Sequence, residues 1–176
     1  QGKPIPGMEV KIVDDFGKEV SCKEIGNVQL KGANICESYY RIKRSPIDKE
    51  GWLDTGDMGY LNEDSYLYIV DRKKDMINRG GEKIWCNDVE NEITSLKGVK
   101  ESALVGIPSE KYGEVAAAVV VLEEESELTE EDIKQKLHDR IAKYMIPEKI
   151  LFLEKIPKTP GLKTDKRAIR ALFFPE

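Results

Sequence analysis

One short basic segment combines residue types that bind phosphates and carboxylates. Residues 157–167, PKTPGLKTDKR, place Lys163 directly after a Pro-Gly turn in a chain that is acidic overall. A lysine on such a turn can offer its ammonium group as a mobile point charge to a phosphate or a carboxylate. A basic run is more often a solvated surface, and Lys158, Lys166 and Arg167 fit that interpretation. The segment alone leaves both interpretations open.

A second segment, GWLDTGD at residues 51–57, ends in Asp57. An aspartate held by a Thr-Gly turn can accept hydrogen bonds from a vicinal diol such as that of a ribose. Taken by itself, a TGD sequence more often marks an ordinary turn.

A third segment, RGGEK at residues 79–83, contains Gly80 and Gly81 just before a predicted helix. Glycine amides at such a place can closely approach a phosphate or a thin ligand chain. Two glycines also form a tight turn, and the motif alone favours that interpretation. It is not a P-loop, because no Lys-Ser/Thr pair follows at the required spacing.

Composition argues against several functional classes. The 176 residues include 28 Lys and Arg against 33 Asp and Glu, for a net charge of -5, whereas a nucleic-acid-binding domain is normally basic. No apolar run approaches membrane-spanning length. A single histidine, His138, and no serine elbow argue against a hydrolase triad. Cys22, Cys36 and Cys86 form no zinc or disulfide pattern, which favours a reducing, cytoplasmic location.

The periodicity divides the chain into two parts. Residues 1–70 contain short β-type segments (MEVKIVD, NVQLKG and YLYIV), and residues 71–176 alternate helices with strands. Two helices are predicted: the first places Val89, Ile93 and Leu96 on one face, and the second runs from Thr129 to about Met145. The continuous apolar run VAAAVVVLE predicts a buried strand. We therefore expect an α+β fold, with a β-rich first part and a small second domain of about three strands and helices on one face.

In order along the chain, these segments resemble the C-terminal portion of the adenylate-forming enzymes. This superfamily comprises acyl-CoA synthetases, aryl-CoA ligases, luciferases and the adenylation domains of peptide synthetases. The segment GWLDTGDMGYLNEDSYLYIVDRKKDMINRGGEKIWCNDVENEI resembles the junction of the family's two domains. GKPIPGMEVKIVDDFGKEV resembles the end of the large domain, while ALVGIPSEKYGEVAAAVVVL and IPEKILFLEKIPKTPGLKTDKRAIR resemble the small domain.

The resemblance implies a role for each matching residue. Asp57 would bind the ribose hydroxyls of ATP, Arg72 would contact the ribose or phosphate, and Asp71 would be the hinge. The loop formed by Gly80, Gly81 and Glu82 would help to form the tunnel for the pantetheine arm of CoA. Lys163 would be the catalytic lysine of adenylation. The resemblance indicates no protein metal ligand.

The activity implied is that of an AMP-forming acyl-CoA synthetase, with ATP, Mg²⁺ and CoA as cofactors and a carboxylic acid, expected to be a fatty acid, as substrate. The phosphate-binding loop and both substrate pockets would lie in a large N-terminal domain in cis. We therefore expect a fragment that is inactive alone, with residues 1–70 as the tail of the large domain and 71–176 as a mobile small domain. The alternatives are a ligase for an aryl acid or a carrier-protein thiol, and a non-catalytic module that binds nucleotide or CoA.

This chain departs from the family pattern at the lysine. The usual ending reads Ser-Gly-Lys, whereas here Leu162 stands directly before Lys163 and the glycine comes one place earlier. We expect this change to alter the turn that aims the lysine. Cys86 occupies a position where many relatives have proline, and we interpret it as a packing residue because no basic partner is evident.

Overall fold

The computed structural model describes residues 2–36 and 45–174. The chain forms two compact units, Gln1–Lys74 and Asp75–Glu176. The first unit contains the strands β1 (Met8–Val13), β2 (Gly26–Gly32), β3 (Leu53–Leu61) and β4 (Leu67–Arg72). The second contains β5 (Ile77–Arg79), β6 (Glu82–Ile84), α1 (Cys86–Thr94), β7 (Val99–Ser109), β8 (Gly113–Leu122), α2 (Glu130–His138), a 3-10 turn (Lys143–Met145), β9 (Lys149–Phe152) and α3 (Lys166–Leu172). The predicted α+β class is confirmed.

The first unit is an antiparallel meander in the order β1-β2-β3-β4. Ile12 and Val28 pair and are buried on one face, as the alternation in the sequence predicts. Val13 and Met58, which both pair with Asn27, are buried on the opposite face. Sequence analysis did not identify β3, since its Gly and Asp residues are depleted in strands and suggested only a turn.

A bulge in β3 explains why DTGD looks like a turn and yet lies in a strand. Asp54 pairs with Gln29 and Met58 pairs with Asn27, so three residues of β3 face the single residue Val28 of β2. Gly56 adopts a positive φ of 72°. Extra residues of this kind bend a strand and redirect its side chains. Asp57 is one of the three residues in this bulge.

Residues 71–74 belong to the first unit. Asp71 and Arg72 extend β4 and pair with Met58 and Asp57 of β3. The Lys73 amide then donates to the Gly56 carbonyl at 2.9 Å. The boundary between the two units therefore falls between Lys74 and Asp75. It lies a few residues after the boundary predicted from the sequence.

The second unit is built around the β7–β8 ladder, which is paired continuously from Ser109↔Gly113 towards Val99↔Leu122 with one irregularity near Val99. On its other side β8 pairs with β5 and, in parallel, with β9. The predicted three strands correspond to β7, β8 and β9, and the β5–β6 hairpin adds two short strands at the edge.

Helices cover both faces of this sheet. Residues of α1 and α2 share one buried cluster with Leu104, Ala118 and Val120. Ile169 of α3 belongs to a second cluster, with Val105 and other residues of the opposite face of β7 and β8. The expectation of helices on one face is therefore wrong: β8 is apolar at every position from Val115 to Leu122, and such a strand needs cover on both sides.

Helix α2 begins as the sequence predicts and ends earlier. Thr129 is its N-cap and forms a capping box with Asp132. The helix stops at His138, and Ala142 is already extended (ψ 144°) before the 3-10 turn. The predicted extension to Met145 is wrong, because the chain must turn there to bring β9 alongside β8. Ile141 still packs against the core cluster.

Two hairpin turns in the second unit have defined backbone geometry. Between β5 and β6, Gly80 and Gly81 have φ of 59° and 99°, which suits the two-residue type I′ turn. The other turn belongs to the hairpin of residues 158–164, which carries Lys163. There Lys158 pairs with Thr164, and the Leu162 amide donates to the Thr159 carbonyl at 2.9 Å. Leu162 follows this turn with φ of 61° and is 85% exposed. A three-residue hairpin loop usually has glycine at that position.

Replacing Asp132 with Asn should weaken the cap of α2 and change the acid dependence of stability. Hydrogen bonds from the Thr129 hydroxyl and amide lower the pKa of Asp132 below its ordinary 3.8. This stabilisation is complete above the unfolded-state pKa and is lost as pH falls through the lower folded-state pKa. At neutral pH, D132N should unfold a few degrees below the wild type, and the difference should shrink below about pH 3.8. Thermal melts across this range, with E131Q as the control, test the prediction; a gap that is constant with pH would contradict it.

Replacing Leu162 with Gly should stabilise the chain. The left-handed backbone costs a non-glycine residue about 1–2 kcal/mol, part of which the greater unfolded-state freedom of glycine offsets. We expect a gain in unfolding free energy of about 0.5–1 kcal/mol, measured by urea titration. The matched control is G161A, because a Cβ at Gly161 would approach Thr159 Oγ1 only to 3.9 Å. A loss of stability in L162G would show that the leucine side chain makes a stabilising contact.

Candidate functional site

Asp57 and Arg72, assigned separately from the sequence, form an ion pair. They face each other across the β3–β4 ladder, and Arg72 Nε lies 2.9 Å from Asp57 Oδ1. The Asp57 amide donates to Thr55 Oγ1 at 3.1 Å, and the Thr55 hydroxyl donates to the Val28 carbonyl at 2.9 Å. The bulge thus holds a partly exposed carboxylate beside a guanidinium. The carboxylate can accept hydrogen bonds from hydroxyls, and the guanidinium can donate to a phosphate.

Asp71, the predicted hinge residue, is buried in β4 with 4% exposure. Its carboxylate accepts a hydrogen bond from the Arg72 amide at 2.7 Å. Three residues further on, Lys74 ends the first unit. Asp71 therefore lies in the last ordered strand before the second unit begins.

The Gly80–Gly81 turn presents space instead of free hydrogen-bond donors. The Gly80 amide donates to the Tyr112 carbonyl at 2.8 Å, and the Gly81 amide donates to Asn78 Oδ1 at 2.9 Å. A Cβ on Gly81 would have no atom within 4 Å. Glu82, next in the chain, is exposed. The tight-turn interpretation is therefore confirmed, and the turn offers a thin, open edge that a slender ligand can pass.

A groove of about 860 Å³ lies beside this turn. It is lined by Arg79, Tyr112, Lys134, Gln135, His138, Lys143, Tyr144, Ile146, Pro147 and Glu148. Aromatic rings and cations therefore share one concave surface. Sequence reasoning missed the groove, because its residues come from segments far apart in the chain. It correctly expected His138 on the surface, with 68% of its side chain exposed.

Lys163 lies exposed on its hairpin, and the flanking lysines anchor that hairpin. Lys158 pairs with Glu101 of β7. Lys166, whose side chain is only 18% exposed, lies 3.5 Å from Glu90 Oε1 of α1. The interpretation of Lys166 as a solvated residue is therefore wrong, whereas Lys158 and Arg167 are exposed as expected.

The glycine turn and the lysine hairpin attach to opposite ends of one ladder. Arg79, beside the glycines, pairs with Gly113 at the start of β8. Glu101, which anchors the lysine hairpin, lies opposite Val121 near the end of β8. The two attachment points are roughly 26 Å apart at ~3.3 Å per residue. The second unit therefore presents two separate sets of candidate residues.

The remaining candidate chemistry is sparse in the parts of the chain that the structure describes. Within residues 2–36 and 45–174, no group of three or more His, Cys, Asp or Glu side chains is placed to hold a metal ion. Over the same residues, no helix is long and apolar enough to cross a bilayer. Cys86 is buried and its thiol donates to the Asp75 carbonyl at 2.9 Å, in keeping with a packing role.

Comparison with known proteins agrees with these features. The family model described as the AMP-binding enzyme C-terminal domain matches residues 88–163. The chain is 38% identical over 94% of its length to a 2-succinylbenzoate–CoA ligase of Enterococcus faecalis, of which it covers 34%. It thus spans about a third of the length of that curated relative.

Two solved structures are similar over nearly the whole chain. ATP-bound MatB from Rhodopseudomonas palustris matches with a TM-score of 0.93 and 30% identity, over 99% of this chain and 35% of the other. The o-succinylbenzoate CoA synthetase MenE from Bacillus subtilis, in complex with the acyl-adenylate intermediate OSB-AMP, matches with a TM-score of 0.88 and 33% identity, over 96% of this chain and 35% of the other. The sequence match, the fold and the order of the motifs together show that the chain belongs to the adenylate-forming enzyme superfamily and corresponds to its C-terminal portion.

Proposed function

We propose that this chain is the C-terminal portion of an AMP-forming acid–thiol ligase, which activates a carboxylic acid with ATP and transfers the acyl group to CoA. The observation that carries the proposal is the placement of two separate sets of residues at opposite ends of the β7–β8 ladder. A two-step reaction can use one set in each step. The relatives named as CoA ligases support the same assignment.

In the first step, a carboxylate oxygen attacks the α-phosphorus of ATP, and pyrophosphate leaves. Both reactants are anions, so a cation at the reacting phosphate stabilises the charge that develops. Lys163 supplies that cation from an exposed hairpin whose two ends are anchored. Asp57 accepts hydrogen bonds from the ribose hydroxyls, and its partner Arg72 contacts the ribose or phosphate. Mg²⁺ would accompany the ATP phosphates and shield the leaving group.

In the second step, the CoA sulfur forms a bond to the acyl carbon, the bond from that carbon to the AMP oxygen breaks, and the thiol proton is released. The open edge at Gly81 suits the passage of the pantetheine arm, because no side chain occupies the space there. Reorientation about Asp71 would exchange the lysine hairpin for the glycine turn between steps. The large domain, in cis, would supply the remaining substrate contacts.

The carboxylic acid substrate should be sought among both aromatic and aliphatic acids. The prediction of a fatty acid finds no support in the Enterococcus faecalis and Bacillus subtilis relatives, whose names specify 2-succinylbenzoate and o-succinylbenzoate. That acid fits the aryl-acid alternative. The alternative acceptor is a carrier-protein thiol in place of CoA. The alternative function is a non-catalytic module that binds nucleotide or CoA.

Lys163→Ala should strongly impair adenylation in the full-length enzyme. We expect acid-dependent ATP–pyrophosphate exchange to fall by about 10²- to 10³-fold, because the charge at the α-phosphate is no longer balanced. The panel of acids is 2-succinylbenzoate, benzoate, octanoate and acetate, and R167A, which alters an exposed cation nearby, is the control. Exchange that survives in K163A would remove Lys163 from the step. No exchange with any acid in the wild type would favour the binding-module alternative.

Asp57→Ala should impair ATP binding more than catalysis. Loss of the carboxylate removes the proposed ribose acceptor and leaves Arg72 without its partner, so the KM for ATP should rise by about tenfold. Initial rates of exchange at varied ATP measure this, with D64A on the β3–β4 turn as the control. An unchanged KM for ATP in D57A would contradict the ribose role.

A further inference from the structure

Arg79 occupies an unusual position next to the glycine turn. Its guanidinium carbon lies 3.9 Å from the centroid of the Tyr112 ring, and its Nη2 lies 3.1 Å from Glu148 Oε1. Only 20% of its side chain is exposed. An arginine that is both stacked and ion-paired loses most of its rotational freedom. The side chain of Arg79 is therefore held in one position, although it lies in the short β5–β6 hairpin at the edge of the sheet.

Tyr112 connects this side chain to the turn itself. Its carbonyl accepts the Gly80 amide at 2.8 Å, and a Cβ on Gly80 would lie 3.4 Å from its Cδ1 atom. Lys111 and Arg79, which surround the phenol, lower the pKa of Tyr112, with the hydrogen bond from Lys111 as the largest cause. One residue thus holds the turn by its backbone and Arg79 by its ring.

Glu148 connects Arg79 to the segment before β9. Its amide donates to the Ala116 carbonyl of β8 at 2.8 Å, and its carbonyl accepts from Lys134 Nζ at 2.7 Å. Glu148 is therefore fixed by its backbone on two sides. Its carboxylate provides a stable partner for the guanidinium of Arg79.

We propose that Arg79 is a positioning residue for the thioester step, which locks the Gly80–Gly81 turn to Tyr112 and Glu148 so that the open edge of the turn is held ready for the pantetheine arm. This inference rests on the proposed function. The β5–β6 hairpin has only three residue pairs and a single bridge to β8, so its own backbone pairing holds it weakly. The contacts of Arg79 with Tyr112 and Glu148 add side-chain restraints to this short backbone pairing.

The test separates the two half-reactions of the full-length enzyme. In R79A, ATP–pyrophosphate exchange should match the wild type, whereas thioester formation from the preformed acyl-adenylate and CoA should lose about tenfold in kcat/KM for CoA. The acyl-adenylate is that of the acid which gives the highest exchange in the wild type. R79K, which keeps the charge and loses the planar stacking, should be intermediate. E148Q, which keeps the stacking and loses the ion pair, should also be intermediate.

A second measurement reports on the lock without catalysis. Amide hydrogen exchange at Gly80 should become faster in R79A, because its bond to the Tyr112 carbonyl opens more often. Unchanged CoA kinetics in R79A and R79K would overturn the inference, and so would an equal loss in both half-reactions, which indicates a general structural defect. Absence of acid-dependent exchange in the wild type would instead overturn the proposed function.

Discussion

The constraint on which the second unit depends is the burial of β8 on both faces. Its run of alanines and valines is almost completely inaccessible to water, so the strand is stable only with helices on each side and strands along each edge. α1 and α2 cover one face, and α3 covers the other. The segments that carry the candidate residues attach near the two ends of this strand. Arg79 pairs with one end of β8, and Glu101 pairs with the other end.

Much of this architecture could be predicted from local sequence signals. The Thr129–Asp132 capping box fixed the start of α2, and the unbroken apolar run identified β8 as an interior strand. Other features depend on residues distant in sequence, and local patterns do not contain them. The strand β3 contains Gly56 and two aspartates, and it forms because β2 and β4 pair with it. The early end of α2 follows from the need to align β9 with β8.

The candidate residues themselves came from the resemblance to a family, whereas their partners came from the structure. Asp57 and Arg72 were assigned separate roles, and the bulge in β3 unites them in one ion pair. Lys158 and Lys166 suggested only a solvated surface, and both form ion pairs, with Glu101 of β7 and Glu90 of α1. Arg79 had no predicted role, since Tyr112 and Glu148 lie far away in the sequence. Ion pairs between distant residues leave little trace in a single sequence.

The distance between the two ends of the β7–β8 ladder has a consequence for how such a domain can change. Free-energy effects of substitutions usually add when the sites lie more than about 7–10 Å apart and share no partner. The attachment points of the glycine turn and the lysine hairpin lie well beyond that range along β8. Selection can therefore alter the residues around the lysine without disturbing those around the glycines. A rigid strand between them lets one small domain diversify at each end independently.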